Sequence, residues 1–200
     1  FGAVEKVVTT KELIDKSTLA DLKIKCIILK HPNIREKMTY AEELEYLVTN
    51  EKRTDFVVNL LRHLRGNTLC LFQLVEKHGK ILNDRMKEEE NVYFVYGGTD
   101  TSAREKIRGL VETHSKSTTI ASFGVFSTGI NIRNINNIVL ASPSKSKIRV
   151  LQSIGRGLRT SSTKDSVLVY DIADDISYNE RRNFTLNHFT ERLNIYNEEQ

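Results

Sequence analysis

The sequence predicts an α/β fold of three layers, a mainly parallel sheet with helices on both faces. Three observations predict it. From Gly66 onward, short apolar runs alternate with helical patterns. The runs are apolar on successive residues, as strands covered on both faces require. They are punctuated by turn signals such as Gly97-Gly98 and Ser142-Pro143.

Taken in order, Thr10 to Ala20 reads as a short helix, and Lys23 to Lys30 as a strand condensing on Cys26-Ile27-Ile28-Leu29. His31-Pro32-Asn33 ends that strand. Thr39 caps a helical pattern through Leu44 and Leu47, with Glu42 completing a capping box. A second helix runs from Glu51 to Leu64, with Phe56, Leu60 and Leu64 as its apolar stripe, and Arg65-Gly66-Asn67 stops it. Then come strand Thr68 to Phe72, a lysine-rich helix Leu74 to Met86, and strand Val92 to Tyr96. A charged helix, Thr101 to Thr113, precedes strand Thr118 to Ser122 and a glycine-punctuated turn. Strand Ile138 to Ala141, helix Ser146 to Thr160, strand Val167 to Tyr170 and helix Phe184 to Tyr196 complete the chain.

Ligands of such sheets sit outside the carboxyl ends of the strands. That directs attention to the turns Phe72-Gln73, Tyr96-Gly97-Gly98, Ser122-Phe123-Gly124 and Ala141-Ser142.

Composition narrows the function classes without choosing one. The 200 residues suit one domain or one domain with an appended segment, and 39% hydrophobic residues supply a core. A net charge of +4 permits a nucleic-acid partner without requiring one. Cys26 and Cys70 sit in apolar runs without metal or redox spacing and read as reduced core thiols of a cytoplasmic protein. No apolar run approaches the ~20 residues of a membrane span. The chain opens on Phe1-Gly2-Ala3-Val4 without methionine, so a preceding segment is expected.

Neither Gly-x4-Gly-Lys-Ser/Thr nor Gly-x-Gly-x-x-Gly after a strand is present. Gly97-Gly98-Thr99-Asp100 reads as a tight turn or as an anion-accepting helix start. Asp171 and Asp174-Asp175 read as capping or loop carboxylates, or as metal ligands at a strand end. The five histidines are scattered, and no self-contained catalytic set assembles. Arg181-Arg182 and the lysine-rich helix are basic runs of the kind that usually form a solvated face.

Two stretches make sense together. Ser146 to Thr160 carries an apolar or small stripe, Ile148, Leu151, Gly155 and Leu158, beside a polar one, Gln152, Arg156 and Arg159. Two arginine forks in line suit a polyanion. Gly155 and Gly157 each cost about 1 kcal/mol in a helix interior, which points to close approach or strain for function. The second stretch is Ala121 to Ile132, with Gly129 and Asn131.

Together they resemble motifs V and VI of the superfamily 2 helicases, in the second of their two RecA-like domains. Gln-x-x-Gly-Arg-x-x-Arg is the more specific part. Thr68 to Gln73 resembles motif IV, and Tyr96-Gly97-Gly98 to Arg104 the strand and helix after it. Within the superfamily the likeness is nearest to the phage recombination DNA helicases.

The resemblance implies a RecA-like domain over residues 23–200, with 1–22 the crossover from a preceding RecA-like domain. Arg156 and Arg159 would be arginine fingers toward the γ-phosphate of ATP, and Gln152 would sense that phosphate. Gly129 and Asn131 would approach the ribose and phosphates, although Asn131 lacks the charge of the aspartate that many relatives carry. Ser122, Gln73, Gly97 and Gly98 would touch the nucleic-acid backbone, and Phe123 would either stack on bases or pack in the core, as would Phe126. ATP and Mg2+ would be held mainly by the preceding domain, so these 200 residues alone are expected to be inactive. The implied protein is an ATP-dependent DNA helicase or translocase of recombination, repair or replication, acting on branched DNA or R-loops. An RNA helicase, a remodelling translocase and a non-enzymatic nucleic-acid binding module remain alternatives.

Overall fold

The computed structural model describes residues 21–32, 34, 36–127, 134–143 and 166–198. The predicted helices Thr10 to Ala20 and Ser146 to Thr160 lie outside them.

The described strands are β1 (Asp21–Lys30), β2 (Asn67–Phe72), β3 (Val92–Val95), β4 (Ser117–Ser122), β5 (Asn137–Leu140) and β6 (Ser166–Asp175). They form one six-stranded sheet in the order β1-β6-β5-β2-β4-β3. Each neighbouring pair is parallel, so the sheet is parallel throughout rather than mainly so.

The described helices are α1 (Tyr40–Thr49), α2 (Glu51–His63), α3 (Lys80–Met86), α4 (Thr101–Thr113), α5 (Phe123–Ser127) and α6 (Phe184–Glu198). Thr39 caps α1 as its sequence signals: Thr39 N–H donates to Glu42 Oε2 at 2.7 Å, and its hydroxyl accepts from Glu42 N–H at 3.4 Å. Gly66 carries the chain from α2 into β2 at φ 78°, a left-handed conformation that favours glycine.

Alternation along the strands builds a core on each face. On one, Leu69, Leu71, Ala121, Ile138, Leu140 and Val169 meet Val111 of α4, Val125 of α5 and Leu193 of α6. On the other, Cys70, Phe72, Ile120, Val139 and Ile172 meet Val57 and Leu61 of α2 and Leu82 and Met86 of α3. This is the expected three-layer architecture.

Several local expectations are corrected. The buried stripe of α2 is Val57, Val58 and Leu61 with Leu64, while Phe56 and Leu60 flank it half-buried. The two stripes differ by one residue, and in a run this rich in aliphatics periodicity alone does not separate them. Cys70 is buried, and burial pushes its thiol up to about 12, but Cys26 is exposed because β1 is the edge strand.

The helix expected from Leu74 to Met86 opens as a π-turn, Val75–Gly79, before α3. Gly79 packs so closely on Phe72 that a Cβ there would lie 2.4 Å from its ring. The turn after β4 is helical, as α5. β6 runs on to Asp175, which places Asp171 inside the strand rather than in a loop.

Candidate functional site

Because all the strands are parallel, their carboxyl ends share one edge. Across that edge the order is β6, β5, β2, β4, β3, with Leu71 beside Leu140, Phe72 beside Ser122, and Ala121 beside Val95. The edge therefore gathers Ser142, Gln73, Ser122 with Phe123, and Gly97 with Gly98, on neighbouring strand ends about 4.8 Å apart.

Gln73 is exposed, and its backbone N–H donates to Ser142 Oγ at 2.9 Å, tying the turn after β2 to the turn after β5. Gly97 and Gly98 are exposed in a tight turn. Thr99 N–H donates to Tyr96 O at 2.9 Å, and Arg104 donates to Thr99 O at 2.8 Å and to Gly97 O at 3.2 Å. A side chain at Gly97 would meet open space, whereas one at Gly98 would strike the Tyr96 ring. The start of α4 already holds an anion of its own. Asp100 accepts from Ala103 N–H at 2.8 Å, and that bond holds its carboxyl below the usual range.

Ser122 is 8% exposed, so only the margin of its side chain reaches solvent. Phe123 is half-buried and packs on the core shared with α5, which leaves its remaining face for any stacking partner. Gly129, Asn131, Gln152, Arg156 and Arg159 lie outside the described residues, as does the side chain of Phe126. Pro143, the last described residue before Gln152, sits just beyond the end of β5 at this edge.

Beneath the edge lies a buried polar network that sequence reading missed. Arg53, 2% exposed, donates from Nε to both Asp174 oxygens at 2.9 and 3.0 Å and from Nη2 to Ala141 O at 2.7 Å. His31 Nε2 lies 2.9 Å from Asp174 Oδ1. Burial works to raise the Asp174 pKa, but Arg53 and His31 outweigh it and hold the carboxyl below its usual range. His78, fully buried, places Nδ1 2.9 Å from Ser142 Oγ. Arg53 Nη1 and His78 Nε2 are buried and have no hydrogen-bond partner among the described residues.

On the opposite face, Asp171 holds Arg192 of α6 at 2.7 and 3.0 Å. Of the three carboxylates considered as metal ligands, Asp171 and Asp174 are thus engaged by guanidinium groups, while Asp175 accepts from Ser177 N–H at 3.1 Å. Among the described residues no group of three His, Cys, Asp or Glu side chains could hold a metal ion.

No sequence signal marks Arg53, which stands beside Lys52 in a charged first turn. Its burial follows from the length of β6, which brings Asp174 beneath α2.

His78 carries a pH consequence. Burial, reinforced by the Arg53 charge, depresses its pKa from 6.5 to about 3. Between those values the unfolded chain binds a proton there and the folded chain does not, so this contribution to stability is present above pH 6.5 and is lost as pH falls. Urea midpoints should therefore drop on acidification through that window, and His78→Gln should flatten the drop. An equal slope in the variant would place the sensitivity elsewhere.

Comparison with known proteins adds an independent line. Residues 51–161 match the model of the helicase conserved C-terminal domain. The whole chain aligns at 35% identity with 43% of the ATP-dependent DNA helicase uvsW of Enterobacteria phage T4. Superposition on the crystal structure of T4 UvsW gives a TM-score of 0.78 at 34% identity, covering 97% of this chain and 41% of that one. A putative ATP-dependent helicase of Saccharomyces cerevisiae, IRC3, is 23% identical over 80% of the chain and 24% of its own length. The C-terminal domain of the DEAD-box protein Dbp5 shares the fold, with a TM-score of 0.55 at 13% identity over 92% of this chain and 88% of its own. The chain spans less than half the length of the two helicases it aligns with. Among the described residues no helix is long and apolar enough to cross a membrane.

Proposed function

The chain belongs to the family of helicase conserved C-terminal domains, and from that premise we propose that it is the second RecA-like domain of an ATP-dependent DNA helicase or translocase. What supports this most is the gathering of Gln73, Gly97, Gly98 and Ser122 on one sheet edge, beside the strand end from which the chain continues toward Gln152, Arg156 and Arg159. The 35% identity to a T4 DNA helicase along the whole chain favours DNA as the substrate.

Residues 23–200 form the domain, and 1–22 cross over from a preceding RecA-like domain; β1 begins at Asp21, two residues from that boundary. The preceding domain binds ATP and Mg2+. Arg156 and Arg159 reach its γ-phosphate and neutralise charge that develops as the phosphoryl group leaves. Gln152 senses that phosphate, while Gly129 and Asn131 lie along the ribose and phosphates. Gln73, the Gly97-Gly98 turn and Ser122 hold the DNA backbone, and Phe123 adds an aromatic face. Backbone contacts carry no sequence information, which suits a motor that moves along any strand. Its work is on branched DNA or R-loops in recombination, repair or replication, in the cytoplasm, a reading that the motif resemblance to phage recombination helicases supports.

Gln73 supplies the test. In the full chain, this domain joined to the preceding one, Gln73→Ala should raise the DNA concentration giving half-maximal ATPase stimulation about fivefold, the worth of one hydrogen bond. Turnover at saturating DNA should stay near wild type. Unchanged stimulation would remove Gln73 from the DNA path, and DNA binding with no ATP hydrolysis in the full chain would favour a non-enzymatic binding module.

A further inference from the structure

Two basic runs stand out in the sequence, and the structure separates them. In the lysine-rich segment the cations are matched by carboxylates. Lys77 pairs with Glu45 at 2.7 Å, Lys80 with Glu76 at 2.7 Å, and Arg85 with Asp55. That segment is a solvated, neutralised face. Arg181 and Arg182 are exposed and make no side-chain ion pair among the described residues.

Their backbone is held firmly. Tyr178 and Arg181 exchange both backbone hydrogen bonds, at 3.1 and 3.0 Å, across a two-residue turn. Asn179 and Glu180 sit in that turn at φ 46° and 61°, the left-handed pair that a tight two-residue hairpin turn requires.

The turn borders a groove of about 350 Å³, lined among others by Lys37, Tyr178, Arg181, Arg182, Phe184 and Asn187. That volume lies in the range of small-ligand sites. Phe184, 42% exposed, is one of the few large apolar side chains left open among the described residues, and Tyr40 meets its ring edge-on at 6.3 Å. Lys37 is exposed. Glu43 also lines the groove, but it is 2% exposed and spent on the start of α6, accepting from Phe184 N–H at 2.8 Å and Thr185 N–H at 3.0 Å. Glu180, exposed in the turn itself, is the opposing charge.

The turn follows the carboxyl end of β6, two strand spacings, or about 10 Å, from the end of β2 that carries Gln73. We propose that this groove is a second contact for single-stranded DNA, with Arg181, Arg182 and Lys37 on its phosphates and one base stacked on Phe184. Cations that track a backbone beside an aromatic platform are what sequence-independent binding of a single strand needs. A duplex would keep its bases from Phe184, and an acidic peptide would leave the ring without a stacking partner. The inference rests on the reading of this chain as a DNA motor domain.

The test is binding of a fluorescein-labelled oligonucleotide by the full chain across a salt series without ATP. Arg181→Ala/Arg182→Ala should weaken binding about tenfold and reduce the slope of log affinity on log salt by about 1.4, two single-strand phosphate contacts. Arg181→Lys/Arg182→Lys should keep most of the slope. Phe184→Leu should weaken the oligonucleotide about fivefold, toward the low end for loss of one stacked base, and leave heparin, a polyanion without bases, unaffected. Wild-type affinity and slope in the double alanine variant would overturn the proposal alone. Equal losses for oligonucleotide and heparin in Phe184→Leu would overturn its base-stacking part. Failure of the wild-type chain to bind DNA would overturn both this proposal and the motor reading.

Discussion

The Arg156→Ala variant of the full chain is expected to lose ATP turnover by about a thousandfold or more, the scale on which an arginine finger acts. DNA affinity should stay within about twofold, because no contact to a DNA phosphate is removed. Arg159→Ala should behave alike. Arg156→Lys should not rescue turnover, since a point charge on a flexible stem does not reproduce a planar fork of donors. Near-normal turnover in either alanine variant would defeat the finger assignment. The physical reason for a split between turnover and binding is that a finger acts on charge present only in the transition state.

The second large effect is on stability. Asp174→Ala should destabilise the fold by about 3–5 kcal/mol, because it leaves the Arg53 guanidinium buried without its carboxylate. The loss should show as a lower urea midpoint and a lower Tm. Replacing both partners by apolar residues, as in Arg53→Met/Asp174→Leu, should cost less than the single change, since no uncompensated charge then remains. A single variant as stable as wild type would mean that Arg53 finds another acceptor, such as more of the Ala141 carbonyl that it already bonds.

The contrast between the pair Asp174 and Asp171 and the strands around them shows what the sequence could and could not reveal. β2 and β5 were legible because four apolar residues in a row leave little other choice, β4 because β-branched Thr118, Thr119 and Ile120 favour a strand, and all three fall within a residue or so of their expected limits. The three-layer, parallel arrangement follows from that alternation. The carboxyl end of β6 was not legible. Its last five residues include Asp171, Asp174 and Asp175, and charged residues read as a loop unless the partners that neutralise them are known. Those partners, Arg53 and Arg192, lie 121 and 21 residues away from their carboxylates.

The site divides in the same way. Gln73, Gly97, Gly98 and Ser122 could be assigned to one edge because parallel strands share a carboxyl end, and the register places them there. Ser142 as the bridge between Gln73 and His78 had no sequence signature, because a serine after a strand is an ordinary turn residue. His78 reads as one more polar residue in a lysine-rich helix. Its spacing of four and eight residues from the buried Leu82 and Met86 puts it on the inner face, where its ring meets Ser142 beyond β5. Cys26 misled for a related reason: an apolar run does not say whether its strand will be central or at the edge.

The most direct test of the assignment is steady-state ATP hydrolysis with and without single-stranded DNA, measured on the full chain and on these 200 residues alone. On the proposed reading as one half of a two-domain motor, this domain should show little or no hydrolysis by itself, and the full chain should hydrolyse ATP in a DNA-stimulated manner. Robust hydrolysis by the isolated 200 residues would contradict the assignment of its arginines as groups that act on a nucleotide held by another domain.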